Sequence, residues 1–160
     1  MNSINRQKNF DTQKFSGLWY ELSRSEHISF QRGDFTTWEF TPNEDGTMQV
    51  KLTTKLKNGN TIANEALAKR LINAKYSLSG ASWFGRYFPN DINVVETDYS
   101  SYAILVSRPS LSFWRTTYGW ILARRPDVER SYLRYLNYIL QEKGSVSSFL
   151  MRETKQAAAE

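Results

Sequence analysis

The chain contains no cysteine. That excludes disulfides, thiolate metal sites, lipid attachment through a cysteine and a cysteine nucleophile, and it leaves the redox compartment unreadable. Histidine is almost as scarce: His27 is the only one, in a stretch that reads as a loop. No Ser-His-acid set is suggested by spacing, and metal ligation around one histidine would need a carboxylate cluster that the sequence does not display. No glycine-rich phosphate loop follows a strand, no internal repeat is visible, and no window approaches the roughly 18 uninterrupted apolar residues of a membrane-spanning helix. Residues Met1 to Lys8 lack the apolar core of a secretion signal. A segment removed earlier would leave the same sequence.

The apolar content instead lies in large rings, with nine Tyr, nine Phe and five Trp. Rings of this kind suit half-buried strands. At 160 residues the chain is expected to form one domain, with residues 9–151 as its folded core and short loose ends at 1–9 and 155–160. A domain of this size buries about 68–70% of the surface its unfolded chain exposes, enough for a core without cross-links. The net charge of +5 and a pI near 9.5 permit attraction to anionic lipid, nucleic acid or an acidic partner. The basic residues are dispersed, however, and the nearest thing to a cluster is Arg124-Arg125.

Short runs of alternating apolar and polar residues, broken by turn signals, predict an all-β protein of about eight strands. They fall near Leu18 to Arg24, Phe35 to Thr41, Met48 to Leu52, Thr61 to Ala68, Ala74 to Ser79, Asp91 to Thr97, Tyr102 to Ser107 and Thr117 to Arg124. Pro42 to Gly46 and Asn58-Gly-Asn60 read as tight turns. The period changes after Pro126: Asp127 reads as a cap, and Val128, Tyr132, Leu136, Ile139 and Leu140 recur at helical spacing until Gly144. Residues Val146 to Met151 are apolar enough to add a last strand or to pack on the strands before them.

Several motifs stand in order along this pattern. Asn9-Phe-Asp11 precedes Gly17-Leu-Trp19-Tyr-Glu-Leu22; Asp45-Gly46 precedes the third strand; Glu65-Ala-Leu-Ala68 lies on the fourth; Asp98-Tyr99 forms a corner; and Trp120-Ile-Leu-Ala-Arg124 ends the eighth. Together they resemble the lipocalin family, most of all its bacterial lipocalin and apolipoprotein D branch. The resemblance implies an eight-stranded antiparallel up-and-down barrel, a calyx, with one C-terminal helix packed outside. It implies that Gly17, Trp19, Asp98, Tyr99 and Arg124 hold the closed end together, with the Arg124 guanidinium over the Trp19 indole. The chain departs from that branch in lacking the disulfide cysteines of its animal members and the lipoprotein cysteine of its bacterial ones. A secreted, periplasmic or membrane-peripheral location is what the resemblance favours.

Strand parity referenced to the family pattern turns Trp38 and Phe40, Val50 and Leu52, Tyr76 and Leu78, and Ile92 and Val94 inward. On the last two strands it turns Ala103, Leu105, Tyr118, Trp120 and Leu122 inward. Glu96 shares the parity of Ile92 and Val94 and is expected inside near the floor. An eight-stranded barrel is either filled by its own side chains or holds one small ligand. The resemblance implies the second, with a fatty acid or lysophospholipid as the best-matched ligand and a retinoid, sterol or tetrapyrrole as others that fit an aromatic lining. Four connections should surround the mouth, bringing His27, Ile28, Phe30 and Arg32; Lys55 and Lys57; Trp83, Phe84, Arg86, Tyr87 and Phe88; and Arg108, Leu111, Phe113, Trp114 and Arg115. Such a rim either faces an anionic membrane surface or folds inward as a lid, and Arg86, Arg108 or Arg115 is placed to meet a headgroup. No cofactor or metal, no catalytic residue and no nucleic-acid partner are expected, and the chain should be a monomer or weak dimer. Two alternatives stay open: a lipid-directed enzyme using a carboxylate in the calyx, and a basic module that binds membranes or polyanions through its rim.

Overall fold

A computed structural model describes residues 4–26, 33–79, 90–108, 117–154 and 156. A short helix α1 (Thr12–Phe15) leads into β1 (Gly17–Ser25). Its start is fixed by Asp11, whose side chain accepts a hydrogen bond from the Lys14 amide. Then come β2 (Asp34–Pro42), β3 (Met48–Lys55), β4 (Thr61–Ile72), β5 (Lys75–Ser79), β6 (Asp91–Thr97), β7 (Tyr102–Ser107) and β8 (Tyr118–Ala123). Each pairs antiparallel with the next, and β8 pairs back onto β1, which closes the sheet into a barrel. Closure removes the free edges that an open sheet would present. Helix α2 (Arg130–Gly144) and a last strand β9 (Met151–Glu153) follow.

The expected barrel and outer helix are therefore present, and the departures are local. Asp127 does not cap α2; Glu129 holds that position without a side-chain bond, and Asp127 lies 3.8 Å from Arg125 at the surface. The last strand falls at Met151–Glu153, after a turn of 3-10 helix at Ser148–Leu150. The chain start is tied down from residue 4: Ile4 is buried, the Gln7 amide donates to the Val94 carbonyl, and the Arg6 Nε donates to Asn93.

Alternation along the strands separates two apolar clusters, one inside the barrel and one outside. The outer one joins Val95, Ile104, Val106 and Ile121 of the wall to Leu136, Ile139 and Leu140 of α2. Burying each such aliphatic side chain stabilises by about 1.5–3 kcal/mol, which holds α2 on the wall. The inner cluster is the one that defines the site.

Candidate functional site

The closed end is built first by backbone geometry. Gly17 has φ +98°, a left-handed value, and a Cβ there would stand 3.4 Å from Arg124 Nη1. Arg124 lies across the Trp19 ring, 3.7 Å from its centroid. It donates to the carbonyls of Leu18 at 2.9 Å, Ser16 at 2.9 Å, Lys14 at 3.1 Å and Tyr99 at 3.0 Å. One guanidinium thus ties β8 to the chain entering β1 and to the β6–β7 corner. The corner itself is organised by Asp98, whose Oδ1 accepts from the amides of Ser100, Ser101 and Tyr102. Burial pushes the Asp98 carboxyl up, but those amides outweigh it and hold the group below the ordinary aspartate range. The Tyr99 hydroxyl accepts from the Asp11 amide.

Two aromatic residues that strand parity could not reach finish the floor. Phe10 and Phe15 precede the first strand yet are fully inside. Phe15 stands 5.1 Å from Trp19 and 4.8 Å from Phe40, while Phe10 packs edge-on to Phe15 at 5.0 Å. Arg70 covers Phe10 as Arg124 covers Trp19, with 5.9 Å to the ring centroid and a bond to the Phe10 carbonyl.

Above the floor, Trp38, Phe40, Val50, Leu52, Tyr76, Ile92, Val94, Ala103, Leu105, Trp120 and Leu122 all lie in the inner cluster, with Leu78 and Tyr118 partly buried against it. Trp38 meets Trp120 edge-to-face at 5.5 Å. Glu96 is not among them. The register shifts between Val94, opposite Leu105, and Glu96, opposite Ile104, so that Val95 is an extra residue and Glu96 turns outward. There it accepts from the Tyr102 hydroxyl and pairs with Lys143. Burial raises the Glu96 carboxyl, and the bonds from Lys143 and Tyr102 bring it below its ordinary value. An inward acid near the floor is thereby removed from the sequence-derived site.

A second shift of register adds what parity missed. β1 sets Glu21 opposite Leu122 but Ser23 opposite Ile121, which makes Leu22 the extra residue. Arg24 then falls opposite Trp120, so Glu21 and Arg24, three apart, share the inner face. Both are buried, at 0% and 2% exposure. Arg24 Nη1 donates to Glu21 at 2.8 Å and Nη2 to the Gly33 carbonyl at 2.6 Å. Glu21 also accepts from the Trp38 indole at 3.1 Å and the Thr154 hydroxyl at 2.9 Å. Gly33, at φ +103°, is where a Cβ would meet the Lys55 carbonyl at 2.6 Å. β9 lies along Ser23–Ser25, and Gln156 bridges the carbonyls of Glu21 and Thr36, so the chain end seals β1 against β2.

At the opposite end, Arg108 Nε donates to Thr117 Oγ1 at 3.1 Å, just beyond the last β7–β8 rung. Lys55 lies over the Phe35 ring. Arg86 and Arg115 lie outside the described residues, as do the expected rim residues His27, Ile28, Phe30, Arg32, Trp83, Phe84, Tyr87, Phe88, Leu111, Phe113 and Trp114. Among the described residues, no group of three or more His, Asp or Glu could hold a metal ion.

The residues thus build a closed barrel with a plugged floor, an inner wall apolar apart from the Glu21–Arg24 pair, and an outer helix. Residues 10–155 match the family model described as a lipocalin-like domain, and the chain belongs to the lipocalin family. It is 31% identical to rat apolipoprotein D over 136 residues, covering 84% of this chain and 71% of that one. It is 29% identical to the outer membrane lipoprotein Blc of Vibrio cholerae over 151 residues, covering 89% and 81%. Among solved structures, the cockroach allergen Per a 4 superposes with a TM-score of 0.75 at 18% identity, covering 98% of this chain and 94% of that one. Lobster apocrustacyanin A1 does so with 0.73 at 16% identity, covering 99% and 93%. The family binds and transports small hydrophobic molecules.

Proposed function

We propose that this chain carries or sequesters a fatty acid or a lysophospholipid in its barrel, with the acyl chain along the inner wall and the headgroup at the mouth. The observation that supports the reading is the inner cluster: apart from Glu96, the side chains assigned inward by parity lie in or against one apolar cluster above a floor closed by Arg70 and Arg124. Each methylene buried there contributes about 0.8 kcal/mol before ordering costs. Arg108 is beside the mouth, and with Arg86 and Arg115 it is the proposed partner of a carboxylate or phosphate. The protein works by binding, not by catalysis, as a monomer or weak dimer. Its net positive charge favours an anionic membrane as the place of loading, at about 1 kcal/mol per Lys or Arg near the surface.

Native mass spectrometry after incubation with a mixed lipid extract tests this. An adduct in the fatty-acid or lysophospholipid range that survives high salt is expected, because acyl burial does not depend on screening whereas polyanion binding does. Absence of any adduct would contradict the reading. Replacing Arg86, Arg108 and Arg115 by Gln should weaken lipid affinity; unchanged affinity would remove the headgroup assignment.

A further inference from the structure

One buried polar atom of the lower inner wall lacks a partner among the described residues. Tyr76 is fully buried, its ring stands edge-on to Phe10 at 6.0 Å, and its hydroxyl finds no hydrogen-bond partner among the described residues. Every other polar group around the floor is engaged. Arg70, opposite Tyr76 on β4, donates to the carbonyls of Asn73 and Phe10. Tyr99 accepts from Asp11, and the Trp19 indole donates to the Phe15 carbonyl. A buried hydroxyl without a partner is costly, and phenylalanine would fill the same space without that cost. On the same face, Ala68 lies two residues from Arg70 on β4 and Ala74 two residues before Tyr76, both small, while Ile92 stands opposite Tyr76 on β6.

We infer that Tyr76 is a deep polar anchor of the calyx, which selects amphiphiles carrying a neutral oxygen, a hydroxyl or carbonyl, at the end buried toward the floor. The inference rests on the proposed reading that an acyl-type chain enters the barrel. Burial raises the Tyr76 phenol above its ordinary value, against a smaller opposing effect of Arg70, so it stays protonated and can donate. A carboxylate is not the group it would take. A lone phenol cannot compensate a buried charge, and Arg70 is occupied by two carbonyls.

The test compares hexadecanoic acid with 16-hydroxyhexadecanoic acid, which differ by one oxygen at the end far from the carboxylate, in the unmodified protein and in Tyr76→Phe. Thermal unfolding of the variant comes first; it should be no less stable than the parent, since only an unpartnered hydroxyl is lost. The ratio of the two affinities, which cancels any change in packing common to both chains, should then shift by about tenfold against the hydroxylated chain in the variant. If both acids bind and the ratio is the same in both proteins, Tyr76 is not an anchor, though the barrel still takes a chain. If neither acid binds the unmodified protein, the anchor and the reading beneath it fall together.

Discussion

Two arginines of the barrel, Arg124 at the floor and Arg24 in the upper wall, are held in two different ways. At the floor, Arg124 faces the Trp19 ring and, among the described residues, donates to the backbone carbonyls of Lys14, Phe15, Ser16, Leu18 and Tyr99. In the upper wall, Arg24 is paired with a full carboxylate, Glu21, which in turn holds the Trp38 indole and the strap at Thr154. A guanidinium against carbonyls and a ring spreads its charge over dipoles and stays partly wet, and the cation-to-ring contact contributes about 0.5–2 kcal/mol. A guanidinium against a carboxylate inside the wall is a coupled unit: each charge depends on the other because neither is solvated. The floor should therefore weaken by degrees, and the wall by halves.

The largest expected effect comes from splitting the wall pair. Arg24→Met should destabilise by about 3–5 kcal/mol, because Glu21 is left charged in a buried place. The double variant Glu21→Gln with Arg24→Met should recover much of that loss in urea unfolding. If the two changes simply add, the pair is not coupled. At the floor, Arg124→Gln should cost less, about 2 kcal/mol, since water can reach part of the site and satisfy the freed carbonyls.

The smallest effect lies at the corner that receives Arg124. Asp98 is held below its ordinary value of 3.8 in the folded chain, so its ionised form favours the fold. That contribution is complete above about pH 4 and is lost as the pH falls through the lower folded-state value. Asp98→Asn keeps an oxygen for the Ser100, Ser101 and Tyr102 amides but removes the charge. Its melting temperature should fall less steeply than the parent's below about pH 4, and equal slopes would place the acid sensitivity elsewhere.

The contrast between floor and wall also marks what the sequence could say. Gly17, Trp19 and Arg124 are readable through the motifs that resemble the family, and the structure gives them a left-handed glycine and a cation over a ring. The inner face from Trp38 to Leu122 is readable because alternation sorts each strand into two faces and the family pattern says which one is inside. Parity fails where a strand carries an extra residue. Leu22 and Val95 look like ordinary apolar strand residues, yet each shifts the register, bringing Arg24 inside and sending Glu96 out. Phe10, Phe15 and Arg70 escape for another reason: they close the floor from turns and strand ends, where no alternation exists to assign a side.

The proposed function divides labour between a floor that carries stability and an inner wall and mouth that would carry the ligand. It is tested most directly by measuring the melting temperature and the hexadecanoic acid affinity of Arg124→Gln side by side with the unmodified protein. The account predicts a lower melting temperature with an unchanged affinity at a temperature where both proteins are folded. An unchanged melting temperature with lost affinity would contradict it.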